Sequence, residues 1–291
     1  MKITWFGASS IMIESGDDRI LIDPAKGPSH SENDPSWEDL MSAENILLTS
    51  GRIERSASIP LIINTSGATV YCSLETAALL EKNNTDPDLI AVVKSGLKLR
   101  FNSISASVLN GYASSAEYDS AIKMRLRSPH VMLYPANTLY LRTHLGRYSG
   151  AENILGYSIT ADNRIVLIPG SLKFNPDTDY PMYPDMLVLP YQGGSDDDKD
   201  VISAIDRIEP RSVMLDMFDD FYPPLTHKTD TRNLYRVLTE KYPDLVIETV
   251  IFPDNVFISK DEFGGCFIDY RNKYLDGFYI AKFRKKGKND I

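Results

Sequence analysis

Two guanidiniums three residues apart, with a carboxylate beside one of them, mark the stretch LLTSGRIERSASIP at residues 47–60. Arg52 and Arg55 are planar forks suited to binding a carboxylate or phosphate through two parallel hydrogen bonds. Ser50 adds a hydroxyl and Glu54 a negative charge. The stretch follows a short apolar run, where a strand would hand over to a loop able to hold a ligand. A second group lies in DMFDDFYPPL, where Asp216, Asp219 and Asp220 crowd around Met217. Together with Glu54 these are the hard oxygen donors that Mg²⁺ or Ca²⁺ takes; equally, the aspartates can cap backbone amides of a loop.

The other chemistries are thinly represented. His30, His130, His144 and His227 are scattered, without the spacing that sets two imidazoles on one metal, and read as loop or surface residues. Cys72 and Cys266 lack CxxC spacing, which excludes a thiolate zinc site; their apolar, strand-like neighbours make them buried thiols of a reducing cytoplasm. The acids of GGSDDDKD suit the first turn of a helix and lack the alternation of a calcium loop. There is no Gly-x-Ser-x-Gly and no Walker loop, and Ser171 in PGSLK has no histidine near it in sequence.

The elements that must position these residues are legible in part. KITWF, SIMIES and RILIDP read as strands, the last two joined at Gly16-Asp17-Asp18 as a hairpin. A polar loop over 25–40 leads to a short helix, then NILLTS and ATVYC are buried strands. SLETAALLEKNN carries a Ser cap, an early Glu and helically spaced apolar positions, and so is a helix. Residues 91–109 read as two strands. Over 110–150 the pattern gives a loop, with strands around VMLYP and TLYLR. LGYSITADNRIVLIP is a hairpin about ADN, PDMLVLP and RSVMLDM are strands, and helices are predicted over DDDKDVISAIDRIEP and KTDTRNLYRVLTEKYP. LVIETVIF and GCFIDY close the pattern as strands. Hairpins followed by alternating strands and helices, in both halves and without a linker, predict one domain over 1–291 with two helix-covered sheets.

Composition narrows the classes. With 291 residues and a net charge of −9, the chain is a poor nonspecific binder of nucleic acid, which is held through phosphate neutralisation. No apolar run reaches the ~18–20 residues of a membrane span. The start lacks the apolar core of a signal peptide, so a cytoplasmic protein without a membrane partner is expected. The basic tail KFRKKGKND reads as solvated.

Several of these segments resemble the metallo-β-lactamase superfamily, in particular its branch of ascorbate-phosphate-lactonase-like and related metal-dependent hydrolases. The likeness runs through KITWFGASSIMIESGDDRILIDP, ILLTSGRIERSASIP, GYSITADNRIVLIPGS, PDMLVLPYQGG and VMLDMFDDFYPPL, in family order over about residues 1–225. It implies an α/β fold, a four-layered αβ/βα sandwich. Where the family reads Trp-x-Gly-His, the histidine position is Ala8. Its Thr-His-x-His-x-Asp-His run meets Ser50, Arg52, Glu54 and Arg55. The next ligand meets SVLN near 107–110, the bridging aspartate falls at Ser171, and the last histidine at Met217, with Phe218 in the place of a tryptophan.

A catalytic zinc takes about three His, Cys or carboxylate ligands and keeps an open position for water. Serine is a poor ligand, methionine a soft one, and arginine carries a fixed positive charge. The expectation is a protein without cofactor that has lost metal-dependent hydrolysis and acts by ligand binding or assembly. Its ligand site is expected at Ser50, Arg52, Glu54, Arg55, Ser171, Met217, Asp219 and Asp220, and a small anion is the expected ligand. Within that site two readings of the arginines stay open: they hold the anion, or they pair with Glu54, Asp216 or Asp219 and fill the space. The rival reading is an active hydrolase with an unconventional metal site at Glu54 and Asp216–Asp220, or with none. A third makes the chain a homo-oligomer or a partner subunit.

Overall fold

The computed structural model describes residues 1–26, 35–112, 122–148, 153–219 and 221–248, and the backbone of three strands beyond them, Asn255–Lys260, Cys266–Arg271 and Tyr279–Phe283. His30, Asp220, the basic tail and the side chains of His130 and Cys266 lie outside the described residues.

Two sheets are built on one plan. The first holds β1 (Lys2–Trp5), β2 (Ile11–Ser15), β3 (Asp18–Ile22), β4 (Asn45–Leu47), β5 (Thr69–Cys72) and β6 (Ile90–Val92) in that spatial order. Its first three strands run antiparallel and β3 to β6 run parallel. The second holds β7 (Lys98–Arg100), β8 (Ser105–Asn110), β9 (Leu155–Ala161), β10 (Arg164–Ile168), β11 (Met186–Pro190), β12 (Ser212–Asp216) and β13 (Val246–Glu248). Here β7 to β10 are antiparallel and β10 to β13 parallel. The expected hairpin about ADN is present: Asp162 and Asn163 both have positive φ, +50° and +57°, as a tight two-residue hairpin turn requires.

Side-chain alternation assigns the layers. Ile11, Ile13, Ile20 and Ile22 turn one face of the first sheet into a core shared with Tyr157, Ile159, Val166, Leu189 and Leu215 of the second. The intervening Met12, Leu21 and Ile46 pack on the outer side. That side is covered by the helices α1 (Trp37–Leu40), α3 (Ile59–Ser66) and α4 (Leu74–Lys82), which contribute Leu40, Ile59, Ile62, Ile63, Ala77 and Leu80. The short α2 (Ile53–Ser56) precedes α3. Ser73 caps α4 by accepting from the Thr76 amide, the cap read in the sequence. The second sheet is covered by α7 (Ser195–Ile208) and α8 (Arg232–Lys241) through Val201, Ile205, Ile208, Leu234 and Leu238. The result is the four-layered αβ/βα sandwich that the sequence implied.

The middle of the chain differs from expectation. In place of strands at VMLYP and TLYLR there is a helical stretch over 122–127 (α5), a 3₁₀ turn at Pro129–Leu133 and the helix α6 (Pro135–His144). Pro135 stands at the first helical position, where its fixed φ suits a helix and its missing N–H costs nothing. Asn137, Thr138 and Leu141 then bury one face at helical spacing. The β-forming composition of TLYLR lost to that burial pattern. Residues 90–110 likewise hold three strands, not two.

Candidate functional site

Loops leaving the C-terminal ends of parallel strands from both sheets meet at one edge of the sandwich. Asp23 follows β3, Thr49 and Ser50 follow β4, Gly170 and Ser171 follow β10, and Met217 follows β12. Ligands of open α/β sheets collect at such strand ends. Arg55, reaching in from α2, ties these ends together.

Its guanidinium is 3% exposed, and Nη1 lies 3.3 Å from Asp23 Oδ2. Nη1 also donates to the Thr49 hydroxyl and to the Gly170 carbonyl at 3.0 Å, and Nη2 reaches Met217 Sδ at 3.4 Å. Its Nε has no hydrogen-bond partner among the described residues. Asp23 accepts from the Thr49 amide (2.7 Å) and from the Thr49 hydroxyl. Burial pushes the Asp23 carboxyl up, against the pull of Arg55 and the two Thr49 donors. Asp216, at the end of β12, is pushed up to about 8 by burial, against the pull of Arg55 and helped by Asp23 and Asp219. It is therefore largely protonated at neutral pH, and its Oδ1 has no hydrogen-bond partner among the described residues.

Three residues of this floor hold left-handed backbone that side chains disfavour: Ala8 (φ +46°), Asp23 (+44°) and Met217 (+60°). Met217 N donates to Ala8 O at 3.0 Å, so two of them are locked together. Beside them Gly7 (φ +100°) is required sterically. A Cβ there would come within 2.7 Å of the Phe221 ring and 2.9 Å of Asp219 Oδ2. Asp219 uses that oxygen to accept from the Ala8 amide at 2.9 Å. Phe218 stacks on Trp5, with centroids 5.3 Å apart.

Above the floor opens a cleft of about 330 Å³. Of the residues expected there, Arg52, Glu54, Arg55, Ser171 and Met217 line it. Ser50 and Asp219 do not; both are buried among neighbouring segments, and Asp219 is a backbone cap for the Gly7–Ala8 turn. Ser171 lines the cleft with its hydroxyl engaged in the loop, accepting from the Tyr112 amide and donating to the Lys173 carbonyl. Arg55 also corrects an expectation, because its ion-pair partner is Asp23, which had been read only as the end of a strand. An aspartate closing a buried apolar strand was the available signal. Arg125, Lys173, Gln192 and Asp197 line the cleft as well and were missed. Arg125 donates to Gln192, whose amide donates to Asp197 at 3.2 Å. Arg125 comes from the segment least legible in sequence.

No family model matches the chain. A UPF0173 metal-dependent hydrolase of Rhizobium etli is 30% identical over 118 residues, 40% of this chain and 50% of that protein. A second, from Chelativorans sp., is 25% identical over 154 residues, 50% of this chain and 62% of that protein. The chain thus spans about half the length of the curated relatives it matches. Among solved structures, Igni18, a metallo hydrolase from Ignicoccus hospitalis, superposes with a TM-score of 0.56 at 15% identity over 85% of this chain and 94% of that one. The metallo-β-lactamase fold protein YhfI of Bacillus subtilis gives 0.54 at 12% identity over 85% and 95%. The fold is that of the metallo-β-lactamases. Within the metallo-β-lactamase fold the cleft described above lies at the joined strand ends of the two sheets, and Arg55 stands at its floor.

Proposed function

We propose that this chain is a metallo-β-lactamase-fold protein that has lost metal-dependent hydrolysis and whose cleft binds a small anion. The observation that carries the reading is Arg55: a buried guanidinium at the meeting point of both sheets' strand ends, bonded to Asp23, Thr49, Gly170 and Met217. A fixed positive charge there opposes a metal cation. The positions that the family likeness assigns to ligands hold Ala8, Ser50, Arg52, Glu54, Arg55, Ser171 and Met217, among which Glu54 alone is a strong donor to a hard or borderline metal. Among the described residues no three His, Cys, Asp or Glu side chains converge as a metal site. The residues present do not fit the family's metals, and no catalytic step is assigned to one here.

Left-handed Ala8 and Met217 support the same reading. Both stand where the likeness places a metal-binding histidine, and both keep a costly backbone geometry although neither side chain is a histidine. Arg52, Arg125 and Lys173 on the cleft walls offer cations to an anion, beside the carboxylates of Glu54, Asp196, Asp197 and Asp200 that line the same cleft.

Calorimetry with phosphate, sulfate and acetate tests the reading, together with metal analysis of protein purified without chelators. Anion binding weakened about tenfold by Arg52→Gln with Lys173→Gln supports it. Near-stoichiometric zinc, manganese or iron would overturn it. So would a melting temperature that drops by several degrees on adding EDTA, because a protein stabilised by bound metal loses that linkage. The second reading, an active hydrolase with an unconventional metal site or none, draws on the names of the relatives and on the buried Asp216 carboxyl, which Asp23 and Asp219 influence electrostatically. Metal-dependent turnover of a phosphoester or lactone, abolished by Asp216→Asn, would establish it.

A further inference from the structure

The segment 122–148 is unlike the rest of the chain in charge and in exposure. It carries Lys123, Arg125, Arg127, Arg142 and Arg147 and not one Asp or Glu, in a protein of net charge −9. The acids nearest in sequence, Glu117, Asp119 and Glu152, fall outside it. The same segment presents large apolar side chains to solvent: Met124 is 69% exposed, Met132 81%, Leu133 67% and Leu139 65%. Elsewhere on the described surface exposed apolar residues come singly or in pairs, as is ordinary. Four within sixteen residues, interleaved with cations, mark an interaction surface.

The helix pattern shows how the apolar side is kept outward. In α6, Asn137, Thr138 and Leu141 are buried, while Pro135, Ala136 and Leu139 line the opposite side, which ends at exposed Arg142. Burying the polar Asn137 and exposing Leu139 inverts the usual arrangement of a surface helix. Asn137 is satisfied inside, donating to the Pro223 carbonyl at 3.0 Å. The outward Leu139 has no such internal reason.

We propose that residues 122–148 dock on an anionic lipid bilayer, with Met124, Met132, Leu133 and Leu139 entering the headgroup boundary and the exposed Lys123 and Arg127 beside Met124 held by lipid phosphates. Exposed apolar residues with cations interleaved in the sequence are the composition of an interfacial anchor. Each cation near such a surface adds about 1 kcal/mol of attraction. Charge decides against a second copy meeting this face symmetrically, since its cations would then oppose their own copies with no acid of the segment between them. The anchor also bears on the cleft, because Ile122 and Arg125 of the same segment line it. Docking would hold the cleft mouth beside the membrane, close to any anion released from or attached to a lipid.

The test is co-sedimentation of the full chain with vesicles of phosphatidylcholine alone and of phosphatidylcholine mixed with phosphatidylglycerol. Binding to the mixed vesicles, weakened by salt, is expected, with little to phosphatidylcholine alone. Met132→Ser with Leu139→Ser, and separately Lys123→Gln with Arg127→Gln, should each weaken it roughly tenfold or more. These positions are exposed, so an unchanged melting temperature confirms that the fold is intact. Equal binding to both vesicle types, or no binding, overturns the proposal. So does a concentration-dependent dimer that the Met132→Ser, Leu139→Ser protein no longer forms, which would make the patch a self-interface. Phosphate calorimetry on the same variants separates this inference from the cleft reading: their anion affinity should match the parent's whichever way the vesicles behave.

Discussion

The floor of the cleft and its rim are both rich in charge, and they hold it by opposite means. At the floor Arg55 and Asp23 are almost wholly buried, bonded to each other and to Thr49, Gly170 and Met217. At the rim Arg52 and Lys173 stay partly open to water, and Asp196 pairs with Lys199 on a fully exposed helix turn. A buried ion is held by several partners or it is expelled, whereas an exposed one keeps its interactions in exchange with water. Under the proposed anion-binding function the floor is structure and the rim is the binding surface.

The largest expected effect breaks the floor. Arg55→Met leaves the Asp23 carboxylate buried without its cation, and urea unfolding should register a loss of about 3–5 kcal/mol. Adding Asp23→Asn should restore part of that loss, because the stranded charge is then removed. Arg52→Gln at the rim should change stability by less than about 0.5 kcal/mol. Equal losses at Arg52 and Arg55 would erase the distinction.

The second effect is a pH slope. In the folded protein the Asp216 carboxyl is pushed up to about 8 from an ordinary 3.8 by burial, and burial raises Asp23 in the same direction. Between these values the folded state keeps a proton that the unfolded chain has released. The contribution is thus complete below about pH 4 and is lost as the pH rises through about 8. Unfolding measured across that window should show stability falling with pH, and Asp216→Asn should flatten the fall. A slope of the same size in the variant would remove Asp216 as its source.

The third is the rim's own effect, the roughly tenfold or ~1.4 kcal/mol loss of anion affinity on replacing Arg52 and Lys173 by glutamine. Here the stability of the folded protein should stay nearly constant while binding falls. A fall in stability without a fall in binding would reverse the two roles.

How much of this was legible in the sequence follows from the same division. Strands, caps and the ADN turn were readable because local chemistry fixes them: Ser73 before an acidic turn, and two turn formers between alternating apolar runs. The cleft residues Arg52, Glu54, Arg55, Ser171 and Met217 were readable through family order. The partner of Arg55 was not, because 32 residues separate Asp23 from Arg55 and only the sheet brings β3 and β4 side by side. The helix α6 was missed for another reason: β-forming residues masked a helix whose buried face is partly polar. Ser50 and Asp219 were placed in the cleft by the family likeness and the acidic cluster of DMFDD, and the direction of their side chains is set by packing that neither encodes.

The smallest effect tests whether the floor stores backbone strain that the rim lacks. Ala8 is fully buried at φ +46°, so Ala8→Gly loses a methyl group, worth about 0.8 kcal/mol, and gains chain entropy in the unfolded state. It also relieves a left-handed conformation that costs an alanine roughly 1–2 kcal/mol. These terms nearly cancel, and the variant should unfold within about 0.5 kcal/mol of the parent. Ala106, equally buried but in the regular strand β8, has no strain to relieve, so Ala106→Gly should cost roughly 1.5 kcal/mol or more. Paired urea titrations of the two variants read the difference directly. If Ala8→Gly costs as much as Ala106→Gly, the left-handed turn carries no stored strain, and the geometry kept at Ala8 and Met217 loses its force as a trace of former ligand positions.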